Sequence, residues 1–258
     1  MNSSFMKKII SYFLMILFLC MILFSGYKIV TYFIGNYENK KIQQSLNNKI
    51  VILKPTSFED EKKSFYQIDF DTLKKENTDT VGYLEVRGTN INYVVVQGRD
   101  NQYYLKHNYN KSWNTSGWIF NDYRNTLDGS DRNIIIFGHS IRDGSMFGSL
   151  KNIFDEEWRS NKDNLEIVFV TEMGTFYYQV FSTYEIIPEE YYLQTDFKTD
   201  EEFDSFIHKI QLRSHYNYQV DVSSTDQILT LSTCNAIGNK RIVLHAKLVH
   251  KNGELNNE

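Results

Sequence analysis

The chain opens on its longest apolar run. Residues 1–8 are short and polar and end in Lys7-Lys8; IISYFLMILFLCMILFSGY then fills positions 9–27 without a charge, and after Lys28 the apolar character resumes from Ile29 to Ile34. At 1.5 Å per residue, about 20 helical residues cross a hydrocarbon layer of roughly 30 Å, and Lys28 can snorkel to its edge. A cleaved leader would have a shorter apolar core and a small-residue cleavage site of the Ala-x-Ala kind, which does not follow here. The expectation is therefore an uncleaved transmembrane anchor over 9–34, with residues 1–8 as a cytoplasmic tail. Lys28, Lys40 and Lys41 beyond the run offset Lys7 and Lys8 before it, so charge alone leaves the orientation open. A long C-terminal part after one short span is most simply placed outside the cell.

The next pattern is helical. Ile42, Leu46, Ile50 and Leu53 fall at helical spacing in an otherwise polar stretch, which predicts a stalk helix over Asn36–Leu53, stopped by Pro55. Ser57, with Asp60 three residues on, reads as the start of a further helix continuing through Phe65, Ile68 and Leu73 to about Asn77. Residues 35–77 are thus expected to form a stalk and N-terminal helices.

From Val81 the period shortens. Val81–Val86 and Ile91–Gln97 read as strands around the turn Arg87-Gly88-Thr89-Asn90. A helical turn over Asp100–Leu105, a short strand over Gly117–Asn121 and a continuous apolar strand over Arg132–Phe137 follow, the last stopping at Gly138-His139-Ser140. Another helical turn begins at Met146. Leu165–Thr171 and Thr175–Ile187 form a hairpin around Met173-Gly174. Thr199–Arg213 is an amphipathic helix with acids in its first turn and Phe203, Phe206, Ile207 and Ile210 on one face. The closing strands are Gln227–Thr233 and Arg241–Val249. About eight short strands with helical insertions predict a mainly β domain closed as a barrel over 78–250, with 251–258 as a polar tail.

Charge and cysteine usage narrow the classes. The formal charge is −4; residues 1–34 hold three lysines and no acid, so the rest of the chain is more acidic still. An acidic ectodomain disfavours nucleic acid or polyanionic lipid as the main partner. Cys20 lies in the apolar run and Cys234 near the other end, so no disulfide framework and no Cys-x-x-Cys pair exists. No spaced ligand set and no Gly-rich phosphate loop is present, so neither a metal nor a cofactor is expected.

A lone thiol outside the membrane is open to oxidation and calls for a reason. Cys234 ends one late strand and Arg241 begins the next, so pairing as a hairpin brings thiol and guanidinium to one edge of the sheet. A thiolate attacking a carbonyl leaves negative charge on oxygen, which a fixed guanidinium can receive. By itself a lone cysteine reads as a small core residue. His139 changes the balance: it stands where a buried strand gives way to a polar loop, a frequent place for a functional group. Cysteine and histidine together supply a nucleophile and a proton carrier.

These residues resemble a known family. Thr230-Leu231-Ser232-Thr233-Cys234 followed by Arg241 is similar to the sortase signature TLxTC…R. Asn133–Ser140, with Asp143–Leu150 after it, resembles the histidine region of class B sortases. So do Val81–Leu84, Gly88–Tyr93, Val95–Gly98 and Asn121–Asn125, in family order, and the resemblance covers about Phe70 to Val249. The helix over 199–213 also sits where class B carries one.

The resemblance implies a sortase-type closed eight-stranded β-barrel, with N-terminal helices and a helix between two late strands, on a membrane anchor. It implies a cysteine transpeptidase of Gram-positive bacteria. Cys234 would attack the Thr carbonyl of a sorting signal in a secreted protein, His139 would protonate the leaving amine, and Arg241 would steady the oxyanion. An amine of the peptidoglycan cross-bridge or its lipid-linked precursor would then resolve the thioester, anchoring the protein to the wall. Asn101, Leu105, Phe137, Ser232 and Asn235 match groove positions. Phe137 stands where relatives often have Tyr, Asn235 follows the cysteine where an acid also occurs, and the loop from Cys234 to Arg241 is shorter than in some relatives; these departures leave the sorting motif open. A pilin-polymerising sortase, with a lysine acceptor, and a catalytically silent membrane-tethered binding module remain as alternatives. A papain-like protease does not fit, because its cysteine starts an early helix.

Overall fold

The apolar run and the polar stretch after it form one helix rather than two. In a computed structural model, which describes residues 3–53, 65–234 and 240–252, helix α1 runs unbroken over Ser3–Asn47. No proline interrupts these residues. The stalk helix expected over Asn36–Leu53 is thus the tail of α1, and it ends early. Ile50–Leu53 is a strand, β1, paired antiparallel with β2, Phe65–Ile68. The helix expected from Ser57 to Asn77 is confined to its last part. Ser57 and Asp60 lie outside the described residues, Phe65–Ile68 is extended, and only Phe70–Glu76 is helical, as α2. The cause is long-range: a Phe-Tyr-Gln-Ile run suits a strand once Ile50–Leu53 supplies a partner. Asp69 caps α2 by accepting the Thr72 N–H at 2.9 Å.

The remaining strands are β3 Thr80–Val86, β4 Ile91–Val96, β5 Phe120–Asn121, β6 Asn133–His139, β7 Glu166–Thr171, β8 Gly174–Ile186, β9 Ile228–Cys234 and β10 Arg241–Asn252. Helix α3 (Glu156–Ser160) precedes β7, and α4 (Asp200–Leu212) separates β8 from β9. The strands close into an eight-stranded barrel in the order β10-β8-β7-β3-β4-β5-β6-β9. The joints β4–β5 and β6–β9 are parallel and the rest antiparallel. Val94, Ile136, Phe169, Val180, Leu231 and Leu244 are among the fully buried residues of the main core.

A second apolar layer lies outside the barrel wall. Phe203, Phe206, Ile207 and Ile210 of α4 pack on Phe181, Tyr184, Ile228 and Val243. Thr199 caps α4 by accepting the Glu202 N–H at 3.2 Å, and Glu202 accepts the Lys198 N–H at 2.8 Å. Covered on both faces, this part of the wall is where a buried histidine sits. His245 Nδ1 is 2.8 Å from Thr230 Oγ1 and Nε2 is 2.8 Å from the Tyr184 hydroxyl. Thr230 donates its own proton to Asn133 Oδ1 at 2.6 Å. It therefore accepts from Nδ1–H, and Nε2 accepts from Tyr184; the neutral ring satisfies every group.

Burial drives the His245 pKa down to about 3. The unfolded chain takes up this proton near pH 6.5, the folded chain only near pH 3. Between those values the unfolded state binds more protons, so acidification destabilises the fold by up to about 1.4 kcal/mol per pH unit. Substituting His245→Gln is expected to lower stability at neutral pH and to flatten its decline on acidification. Urea unfolding from pH 7 to 4.5 checks this; a wild-type–variant difference that stays constant with pH would overturn it.

Candidate active site

Strands β6 and β9 run parallel through seven paired positions, from Asn133 with Ile228 to His139 with Cys234. Neighbouring strands lie about 4.8 Å apart and paired positions share a face. The last pair thus sets the Cys234 position directly beside His139. Strand β10 lies antiparallel on the other side of β9, with Val243 opposite Ser232 and the Ile242 N–H donating to Thr233 Oγ1 at 2.9 Å. Continued by two residues, this register faces Arg241 to Cys234. The three positions expected to carry chemistry thus meet at one end of adjacent strands. Gly138 permits this end to pack tightly: a Cβ there would lie 2.4 Å from Ile119 Cδ1 and 2.8 Å from Phe147 Cγ.

His139 is oriented by the backbone across the groove. Its Nε2 is 2.8 Å from the Leu105 carbonyl. Donation to a carbonyl requires the proton on Nε2, so in the neutral ring the basic nitrogen is Nδ1. Leu105 ends a 3₁₀ turn, Tyr103–Leu105, whose start is held by Asp100 Oδ1 accepting the Gln102 and Tyr103 N–H groups at 2.7 and 2.8 Å. Gly117, at φ +55°, lets the chain pass so close that a Cβ would lie 2.3 Å from the Tyr104 carbonyl oxygen.

These elements border a groove of about 790 Å³. Asn101, Leu105, Phe137, His139 and Arg241 line one part of it, and Glu190, Tyr191, Leu193 and Gln194 line another. The second group lies on the link between β8 and α4, which is strapped down at several points. Asp122, wholly buried, grips Arg124 with both oxygens at 2.9 and 2.6 Å, and Arg124 Nη2 donates to the Leu193 carbonyl at 2.8 Å. Asn133 Nδ2 donates to the Gln194 carbonyl, and Gln194 Nε2 to Glu202 Oε1. The Lys198 N–H and the Gln194 amide hold the Glu202 carboxyl below the usual range.

Arg241 is tied to the same link. Its Nη1 donates to the Tyr192 hydroxyl at 3.2 Å, and that hydroxyl is 3.0 Å from Ser232 Oγ. Accepting from a cation, the phenol has its own proton to give to the serine. Tyr192 and Ser232 are both fully buried. Ser232, expected in the groove lining, does not reach it: it shares a face with Cys234 and with its partner Phe137, but Tyr192 covers it and takes up its hydroxyl. Asn101, Leu105, Phe137, His139 and Arg241 line the groove, Cys234 is placed by its backbone pairing, and Asn235 lies outside the described residues. Among the described residues no group of three His, Cys, Asp or Glu side chains is gathered for a metal ion. Sequence reasoning missed Tyr191, Tyr192 and Arg124. A Tyr-Tyr doublet in an otherwise polar link, outside any periodic pattern, was the one available signal.

The comparisons with known proteins agree with this geometry. Residues 84–249 match the model of the sortase domain. Sortase B of Listeria monocytogenes is 36% identical over 234 residues, covering 89% of this chain and 92% of that protein. Sortase B of Staphylococcus aureus is 32% identical over 237 residues, covering 91% and 94%. A crystal structure of sortase B from Bacillus anthracis, in complex with AAEK1, superposes with a TM-score of 0.72 at 37% identity, covering 85% of this chain and all of that one. Family model, relatives and barrel all lead to one conclusion: this chain belongs to the sortase family of transpeptidases and, within it, to class B.

Proposed function

We propose that the protein is a membrane-anchored cysteine transpeptidase that cleaves a sorting signal after Thr and transfers the acyl group to a peptidoglycan amine, anchoring secreted proteins to the cell wall. The observation that carries this reading is the pairing of His139 with Cys234 at the end of two parallel strands, with Arg241 next in register and an open groove alongside. In this mechanism the Cys234 thiol passes its proton to His139 as its sulfur adds to the Thr carbonyl, and negative charge moves onto oxygen, where the Arg241 guanidinium balances it. The C–N bond then breaks, and the leaving amine takes its proton from His139. His139 keeps its Nε2 proton on Leu105, so Nδ1 is the nitrogen that gives and takes the transferred proton. The thioester holds the acyl group activated until the second amine adds, gives up a proton to His139 and expels the thiolate.

Asn101, Leu105 and Phe137 would contact the sorting signal from one side, and Tyr191 and Leu193 from the other. Ser232 serves differently: through Tyr192 it fixes the fork of Arg241. Helix α1, long and apolar enough to cross a membrane, would hold the barrel on the outer face, with residues 1–8 in the cytoplasm.

The test is intact mass measurement on the full chain in detergent, incubated with Asn-Pro-x-Thr- and Leu-Pro-x-Thr-type peptides. A hydroxylamine-sensitive adduct mapped to Cys234, absent from Cys234→Ala, is expected; turnover by that variant at the wild-type rate would sink the assignment. Adding a Gly-rich amine or a lysine-bearing pilin peptide separates wall anchoring from pilus assembly.

Replacing Arg241 by Lys is expected to lower kcat by about 10²-fold or more, because an ammonium cannot present the planar fork. A near-normal kcat would place Arg241 outside the oxyanion site. Tyr192→Phe keeps the ring and removes the hydroxyl that accepts from Arg241 Nη1, so kcat should fall roughly tenfold with KM little changed. A loss confined to KM would instead make Tyr192 a substrate contact.

A further inference from the structure

Helix α1 does not leave the barrel as a free stalk. Asn36, Asn39 and Leu46 are buried on one of its faces, and Tyr32 and Ile42 pack on the core from the same stripe. The contacts descend the helix in order. Gln43 Nε2 donates to Asn92 Oδ1, Asn39 Nδ2 to the Gly117 carbonyl at 3.0 Å, and Ser116 Oγ to Asn36 Oδ1. Asn114 Nδ2 donates to the Gly35 carbonyl at 2.9 Å and to Asn39 Oδ1 at 3.0 Å. Residues 114, 116 and 117 thus lie against α1 between Gly35 and Asn39, just past Ile34, where the apolar run ends. Trp113 is the neighbour of Asn114 in the chain.

Trp113 is 64% exposed, whereas the other two tryptophans, Trp118 and Trp158, are buried. It belongs to an aromatic stack rather than standing alone. His107 pairs with it as a β-bridge and meets its ring edge-on at 5.7 Å, and the Tyr103 ring, itself exposed, stacks on His107 at 4.0 Å. Lys106 Nζ lies 5.8 Å from the Trp113 ring centroid. Exposed Trp and Tyr beside Lys, one residue in the chain from the Asn114 that bonds Gly35 at the end of an apolar span, are the composition of a membrane–water interface, where an amphipathic ring has one wet and one apolar side.

We propose that the loop Tyr103–Trp113 docks on the bilayer that α1 enters, with Trp113 in the boundary between headgroups and acyl chains. The inference rests on the reading of α1 as the membrane span. Its consequence is positional: the loop that meets the lipid also supplies Leu105 to the groove and the carbonyl that orients His139. The groove would open close to the membrane surface, where a lipid-linked acceptor is presented.

The test uses the full chain reconstituted in phosphatidylcholine vesicles with or without bromine on the upper acyl chain, which quenches tryptophan only at short range. Co-flotation with the vesicles is measured first; a chain that does not float overturns the membrane reading of α1, and this inference with it. For a floating chain, part of the tryptophan emission should be quenched by brominated lipid, and Trp113→Phe should lose that quenchable part while keeping the emission of Trp118 and Trp158. Equal emission in plain and brominated vesicles, or quenching that survives Trp113→Phe, would overturn the docking.

Discussion

The barrel closes on a parallel pair, and the site depends on that closure. β6 and β9 are separated by α3, two strands and α4 in the chain, yet pair at seven consecutive positions. A parallel joint cannot be made by a tight turn, so its register is set by what the two strands bury rather than by a connecting loop. Both faces of β9 are covered, by the barrel interior and by the layer under α4. A slip of one residue would turn Leu229 and Leu231 out of the core and expose Thr230 and Ser232 in the wrong layer. The apolar cost of that slip is what keeps His139 opposite Cys234. The position of the site is thus a by-product of core packing several residues away from it.

The polar groups behind the groove obey the same constraint. Asn133, Thr230, Ser232 and His245 are fully buried, and each has a partner inside the wall. A buried hydroxyl or amide without one would cost about 1–3 kcal/mol. Such groups have few ways to be satisfied together, which narrows the arrangements available to Tyr184, Tyr192 and, through Tyr192, Arg241. The link between β8 and α4 has little regular structure of its own. It is held by Arg124, Asn133 and Glu202, so this part of the groove lining is tied to the β5–β6 segment on one side and to α4 on the other.

Much of this was legible in the sequence because the barrel strands are apolar at period two or continuously, and turns punctuate them. The late hairpin and the α4 stripe read directly, whereas the place of His139 beside Cys234 comes only from the parallel pairing of β6 with β9. What did not read has a physical cause in each case. Phe65–Ile68 looks helical in its own window and becomes a strand only because Ile50–Leu53 pairs with it. Ser232 could be placed on the face of Cys234 but not under Tyr192, since alternation gives a face and not what covers it. Asn36 and Asn39 look like solvent positions. Their burial follows from Asn114, Ser116 and Gly117, which no local pattern connects to α1.

Those amides bear on how the helix marks the membrane boundary, given α1 as the span. A stalk docked through leucines would extend the apolar run past Ile34, and the helix could slide in depth at little cost. Asn36, Asn39 and Gln43 cannot slide. In hydrocarbon each would lose its partners, at several kcal/mol per unsatisfied group, whereas against the barrel their side chains are bonded to residues 92, 114, 116 and 117. The change from apolar to amide residues at Ile34–Asn36 therefore does two things at once. It stops the helix from sinking, and it fastens the barrel to the first turns that emerge, so that one helix face sets both the depth of the anchor and the orientation of the groove above it.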